Sequence, residues 1–205
     1  YKTQGNPARA KHDKSSISLT MSTIRAFIAV EIDPSTKENL TRLISQLKES
    51  NTDVKWINDR QMHLTLKFLG NIDQDMVPKI SDALKQISTQ TKEFTIQLSK
   101  IGAFPNIKKP RVIWIGIEKG SESLKTLNIK IETGFEKLGF EKEKREYKAH
   151  LTLGRVRSLK NISQLTKVIE EIDFKSEKAI KIDKLILFQS TLTSKGAIYT
   201  PLITV

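Results

Sequence analysis

Cysteine is absent from all 205 residues. Its absence removes disulfides, cysteine-ligated zinc and cysteine nucleophiles from consideration. It is also compatible with a reducing cytoplasm, the expected location. No run of about 18 apolar residues occurs, so neither a transmembrane helix nor membrane association is expected. The Gly-Lys-Ser/Thr phosphate loop and the Gly-x-Gly-x-x-Gly fingerprint are missing. So are His-x-x-x-His, His-Glu-x-x-His and the Gly-x-Ser-x-Gly nucleophile elbow. These absences leave acid–base chemistry without a cofactor and with no expected metal site; a metal held by two histidines and distant acids is the residual alternative.

Histidine is scarce, with three residues, and two of them head the same tetrapeptide. The copies are His63-Leu64-Thr65-Leu66 and His150-Leu151-Thr152-Leu153, offset by 150 − 63 = 87 residues. With Leu and Thr each near a tenth of the chain, a histidine is followed by Leu-Thr-Leu by chance roughly once in a thousand. The repeat implies two similar halves, each presenting one histidine and one threonine.

Each copy alternates polar and apolar residues, the pattern of a half-buried strand. Side chains at i and i+2 share a face. His63 and Thr65 therefore point one way, with Leu64 and Leu66 packing the other. His150 and Thr152 stand likewise over Leu151 and Leu153. Two such faces meeting across a cleft put two imidazoles, with ordinary pKa near ~6.5, in reach of one substrate. Two hydroxyls add hydrogen bonds to an anionic oxygen. A histidine on a strand is also a common structural residue and threonine a common strand former; repetition favours the chemical reading. By alternation Lys67 joins the histidine face, either steering a polyanionic backbone or serving as a plain surface lysine. Phe27 is either a stacking surface for a base or a core residue, and Trp56 and Trp114 read as core.

The chain carries 35 basic and 23 acidic residues, a net charge of +12. Such an excess suits a polyanionic partner, RNA or DNA above all. Residues 1–20 lack periodicity and are rich in Lys, Ser, Asn and Gly. They read as an added or disordered extension, with Met21 as the expected natural start and no catalytic role for His12. Residues 21–205 read as one domain.

From Met21 onward strands alternate with helices in two halves of like pattern. Strands are expected over 24–32, 54–57, from 63 to Gly70, 94–101, 111–117, 150–156, 179–190 and 197–205. Helices are expected over 34–50, 74–88, 121–138 and 162–172, with a loop over 104–110, an exposed strand or loop over 140–148 and a turn near 194–196. The expected class is α+β: two pseudo-symmetric lobes, outer helices, and a cleft lined by both motifs.

These residues resemble the two-histidine phosphoesterase superfamily, and within it the RNA 2',3'-cyclic phosphodiesterases, historically called 2'-5' RNA ligases. The resemblance runs through Arg25 to Val30, Val54-Lys55-Trp56, His63 to Gly70, Gly102 to Pro105, Pro110 to Trp114, His150 to Arg155, Ser190-Thr191-Leu192 and Gly196 to Tyr199. Ala149 departs from it, since this branch usually has Pro there. The resemblance implies a bilobal α+β fold and hydrolysis of RNA 2',3'-cyclic phosphate ends to 2'-phosphomonoesters, with no metal and no cofactor. It implies His150 as base, His63 as acid, and Thr65, Thr152 and Arg155 as phosphate contacts. The expected partner is a cyclic-phosphate RNA end or a cyclic nucleotide, met by a monomer whose cleft one chain completes. Two alternatives stay open: a 2'-5' RNA ligase running the same chemistry backward, and a module that binds a nucleotide or RNA end without turnover.

Overall fold

The computed structural model describes residues 22–174, 178–194 and 196–205. The extension over 1–20, His12, the start at Met21 and Lys195 of the last turn lie outside them.

Local chemistry sets the first elements. β1 (Thr23–Glu31) is followed by α1 (Pro34–Lys48), which opens at Asp33. The Asp33 carboxylate accepts the Thr36 amide at 3.0 Å and the Ser35 hydroxyl at 2.6 Å, with Pro34 fixing the first turn. Leu40, Leu43, Ile44 and Leu47 recur at helical spacing and are buried. β2 (Val54–Trp56) and a 3₁₀ turn, Asp59–Gln61, lead into β3 (His63–Asp73), which carries the first motif. α2 (Val77–Thr89), β4 (Phe94–Ile96), β5 (Leu98–Phe104), β6 (Val112–Ile117) and α3 (Ser121–Glu136) follow. The charged stretch over 140–148 is irregular and feeds β7 (His150–Val156), bearer of the second motif. α4 (Ile162–Glu171), β8 (Ile180–Ile182), β9 (Ile186–Thr193) and β10 (Gly196–Thr204) complete the described elements.

Two antiparallel sheets of four strands form the lobes, in the orders β10-β9-β1-β3 and β2-β7-β6-β5. Each holds one motif. α3 packs against α2 and β3, while α1 packs beside α4. Ile28, Leu64, Leu84, Ile115, Ile131, Phe135 and Leu151 belong to one continuous core shared by both lobes. Burying each such side chain contributes about 1.5–3 kcal/mol. No helix among the described residues is long and apolar enough to cross a membrane.

Several expected boundaries shift. The strand expected over 94–101 breaks at Gln97, whose amide donates to Lys119 O and whose carbonyl accepts from Glu118. β4 then pairs with β8 as a separate ribbon, which also splits the strand expected over 179–190. A 3₁₀ turn, Gln74–Met76, precedes α2, which starts at Val77 with Pro78 in its first turn.

The register carries a feature that alternation does not anticipate. Ala29 pairs with Thr65 and Ile28 with Lys67, so Leu66 is an extra residue in β3. Trp114 pairs with Thr152 and Ile113 with Gly154, so Leu153 is an extra residue in β7. Each bulge resets which face the following residues occupy.

Candidate active site

His63 opens β3 directly after the 3₁₀ turn, and its ring is hydrogen-bonded to the backbone of Gln61. Phe27 lies 4.8 Å away and Phe188 6.1 Å, centroid to centroid, while Tyr199 meets it at 4.9 Å and 90°. His63 stands on one edge strand of the sheet and Tyr199 on the other. Their contact requires a strongly curled sheet with its concave face toward the cleft. Burial among these rings pushes the His63 pKa down to about 4, against the pull of the Gln61 hydrogen bond.

His150 opens β7 in the same way. Its Nδ1 pairs at 2.6 Å with the carbonyl oxygen of Lys148, again two residues back. With Nδ1–H donated there, Nε2 is the open nitrogen of the neutral ring. Phe104 meets the ring edge-on at 5.0 Å and Trp114 lies 6.2 Å away. Burial lowers the His150 pKa, and the Arg155 cation lowers it further, against the Lys148 hydrogen bond. The two histidines are thus held by the same device, a backbone carbonyl behind and aromatic rings beside.

Thr65 and Thr152 are half-buried on the histidine faces, and neither hydroxyl hydrogen-bonds to protein among the described residues. The backbone beneath Thr65 is fixed by partners from beyond its own sheet. Tyr147, just ahead of the second motif, donates its hydroxyl to Thr65 O at 3.1 Å. Asn128 of α3 donates to Leu66 O at 2.8 Å. These bonds satisfy the open edge of β3 and tie the first motif to the approach of the second.

The bulges decide the remaining candidates. Arg155 shares the face of Trp114 and Thr152: the bulge at Leu153 turns Gly154 to the core, where an added Cβ would lie 2.5 Å from Val54 Cγ1 and 2.8 Å from Trp56 Cε3. Trp56 packs on the core, as expected. Lys67 is a correction. The bulge at Leu66 carries it to the core side, opposite Ile28, where its side chain is 4% exposed. It meets Glu132 at 2.5 Å and donates to Glu141 O at 2.9 Å, so it offers nothing to a substrate. Trp114 is a second correction: it shares the face of Thr152 and lies flat over Gly102, where only a glycine leaves room. Phe27 does face the cleft, but it is 3% exposed beneath His63, Phe188 and Tyr199. The exposed ring is Phe68, beside Phe27 at 6.1 Å and 66% exposed.

Tyr199 joins the lobes electrostatically. Burial raises its phenol pKa, and the cations of Arg155 and Arg25 pull it back. Arg155 therefore acts both on Tyr199, which touches His63, and on His150. The strands that carry the two motifs, β3 and β7, are in contact. The side chains that complete it but escaped the sequence reading are Phe68, Phe104, Phe188 and Tyr199. One signal for Phe68 was available: it follows His63 by five residues, as Arg155 follows His150.

Comparison with known proteins gives a consistent picture. The family model of LigT-like phosphoesterases matches the chain twice, over residues 30–114 and 115–199. The RNA 2',3'-cyclic phosphodiesterase of Methanothermobacter thermautotrophicus is 32% identical over 177 residues, covering 86% of this chain and 95% of that protein. The enzyme of the same name from Methanocaldococcus jannaschii is 35% identical over 179 residues, covering 86% and 96%. Among solved structures, a Thermus thermophilus protein superposes with a TM-score of 0.73 at 22% identity, covering 88% of this chain and 96% of the other. E. coli LigT complexed with 3'-AMP superposes with a TM-score of 0.67 at 19% identity, covering 90% and 98%.

Proposed function

The chain belongs to the LigT-like phosphoesterase family, and on that premise we propose that it hydrolyses RNA 2',3'-cyclic phosphate ends to 2'-phosphomonoester ends. What supports this is the geometry that ties the motif strands together: β3 touches β7, Tyr147, just ahead of the second motif, donates to Thr65 O of the first at 3.1 Å, and Tyr199 packs edge-on against His63.

In this reading the open Nε2 of His150 takes a proton from water as the water oxygen attacks phosphorus. The bond from phosphorus to the 3'-oxygen breaks, and His63 delivers its proton to that oxygen. The 2'-ester survives. The hydroxyls of Thr65 and Thr152 and the Arg155 guanidinium donate to the non-bridging oxygens as charge develops there, often the largest catalytic contribution. In the free protein burial keeps His63 neutral at pH 7. A bound phosphate anion raises its pKa and lets it arrive protonated, and the carbonyl at Gln61 favours the same form.

The partner is an RNA end. The terminal base lies on Phe68, the one exposed ring of the aromatic floor, since stacking on an aromatic holds any base. One chain supplies both motifs, which supports action as a monomer, and we place that action in the cytoplasm. Hydrolysis of a nucleoside 2',3'-cyclic monophosphate, with the two isomeric products separated by chromatography, tests the reading. The 2'-monophosphate alone is expected; the 3'-isomer as main product contradicts the assigned leaving group.

A further inference from the structure

The concave face of the first sheet also carries polar side chains that hydrolysis does not use. β1 alternates regularly, so Arg25 follows Phe27 on that face. Its direct partner on β3 is Asn71. Continuing the antiparallel register past Ala26 and Gln189 sets Arg25 opposite Ser190, and Ser190 pairs with Tyr199. Tyr199, Ser190, Arg25 and Asn71 thus form one row across all four strands. It runs beside the aromatic row of Phe188, Phe27 and Phe68.

Arg25 is exposed, and no carboxylate reaches ion-pair distance of it among the described residues. Asp73, the acid one row farther along β3, makes no pair with it either. Other cations near this sheet are paired: Lys37 with Glu31 and Lys67 with Glu132. Both cations lie near the Tyr199 hydroxyl; Arg155 stands on β7 with the second motif, while Arg25 stands on β1 one row beyond Phe27, opposite Asn71. Arg155 therefore stands at the reacting centre and Arg25 apart from it, both without a counter-ion on the same cleft. Two such guanidinium groups match two phosphates of one chain.

We infer that Arg25, with Asn71 and Ser190, holds the phosphodiester on the 5' side of the terminal nucleotide. The site is then shaped for the end of an RNA chain rather than for a free nucleoside cyclic phosphate. This rests on the phosphodiesterase reading above. The terminal base on Phe68 bridges the two phosphate positions, and the neutral donors of Asn71 and Ser190 complete the second. A guanidinium contact to a phosphodiester is strong because it is charge-assisted and two-pronged.

The test compares binding of a trinucleotide ending in a 2'-phosphate with that of a nucleoside 2'-monophosphate, at several salt concentrations. Wild type is expected to prefer the trinucleotide by about tenfold or more. Arg25→Gln is expected to erase most of that preference and to flatten the log–log salt slope for the trinucleotide by about 0.7. Arg155→Gln weakens both ligands and leaves their ratio in place. Equal affinities in wild type, or a ratio that survives Arg25→Gln, overturn the inference. Turnover of a trinucleotide ending in a 2',3'-cyclic phosphate by wild type is scored in parallel. Its absence sinks the phosphodiesterase reading, while the binding ratios still decide the role of Arg25.

Discussion

Leu66 of β3 and Leu153 of β7 occupy equivalent places, each the extra residue of a bulge one position beyond its motif threonine. Each bulge sends the next residue, Lys67 or Gly154, to the core and the one after it to the cleft. The lobes differ in what the cleft receives: Phe68 from the first, Arg155 from the second. One irregularity, used twice, thus yields an apolar platform on one side of the site and a cation on the other.

The buried partner of Lys67 gives the first prediction. Glu132→Gln leaves the Lys67 ammonium enclosed without a counter-charge, and unfolding free energy is expected to fall by about 3–5 kcal/mol. Replacing both, Lys67→Met with Glu132→Leu, is expected to restore most of the loss, because two apolar side chains need no pairing. Denaturant titration measures both. The double variant is expected to keep its activity; a stable but inactive one would return Lys67 to the substrate path.

Phe27 and Phe68 are neighbours with opposite expected phenotypes. Phe27 is 3% exposed, so Phe27→Ala opens a cavity under His63 and is expected to cost about 3–5 kcal/mol of stability. Phe68 is 66% exposed, and Phe68→Ala is expected to leave stability within about 0.5 kcal/mol. Its effect belongs to substrate instead: KM for an RNA end is expected to rise about tenfold, the loss of one stacked base. Melting curves and steady-state kinetics on the two variants check this. A Phe68→Ala enzyme with unchanged KM rules out the stacking role.

The lowered histidine pKa values set the pH dependence of activity. Burial brings His63 to about 4 and lowers His150 from its ordinary 6.5. One ring must enter protonated and the other neutral, whichever is which. The profile of kcat/KM, which reports the free protein, is therefore expected to peak below 6.5 and to fall as pH rises through neutrality. Bound phosphate raises both pKa values, so the kcat profile is expected to lie at higher pH. Coincident profiles, or a kcat/KM maximum on the alkaline side, contradict this.

The same shift links pH to stability. The folded protein holds His63 near 4, against 6.5 for a free ring, so folding favours the neutral form. Its contribution is complete above the unfolded pKa and is lost as pH falls toward the folded one. About 3 kcal/mol is expected to disappear across that window, and His63→Gln is expected to flatten the acid limb. Stability measured from pH 7 to pH 4 in both proteins decides it.

Alternation placed His63, Thr65, His150 and Thr152 on one face each, because both motif threonines precede the point where the chain departs from regular pleating. It failed one residue later. A bulge depends on pairing with a neighbouring strand, so Lys67 could not be assigned from β3 alone. Arg155 was identified through resemblance, and strict alternation from His150 would have turned it inward. Trp114 and Phe27 carry side chains typical of a core, and only the register with Thr152 and Phe68 reveals their cleft face. The order of strands in each sheet, which brings Tyr199 against His63, rests on long-range pairing that no local pattern encodes.

The most direct measurement is product mapping on a short RNA ending in a 2',3'-cyclic phosphate, in EDTA, with wild type, His63→Ala and His150→Ala side by side. Wild type is expected to leave a 2'-phosphate end, undiminished by the chelator, with rates at least about a hundredfold lower in each variant. Full activity in either variant, or loss of wild-type activity in EDTA, would contradict a metal-independent pair of histidines.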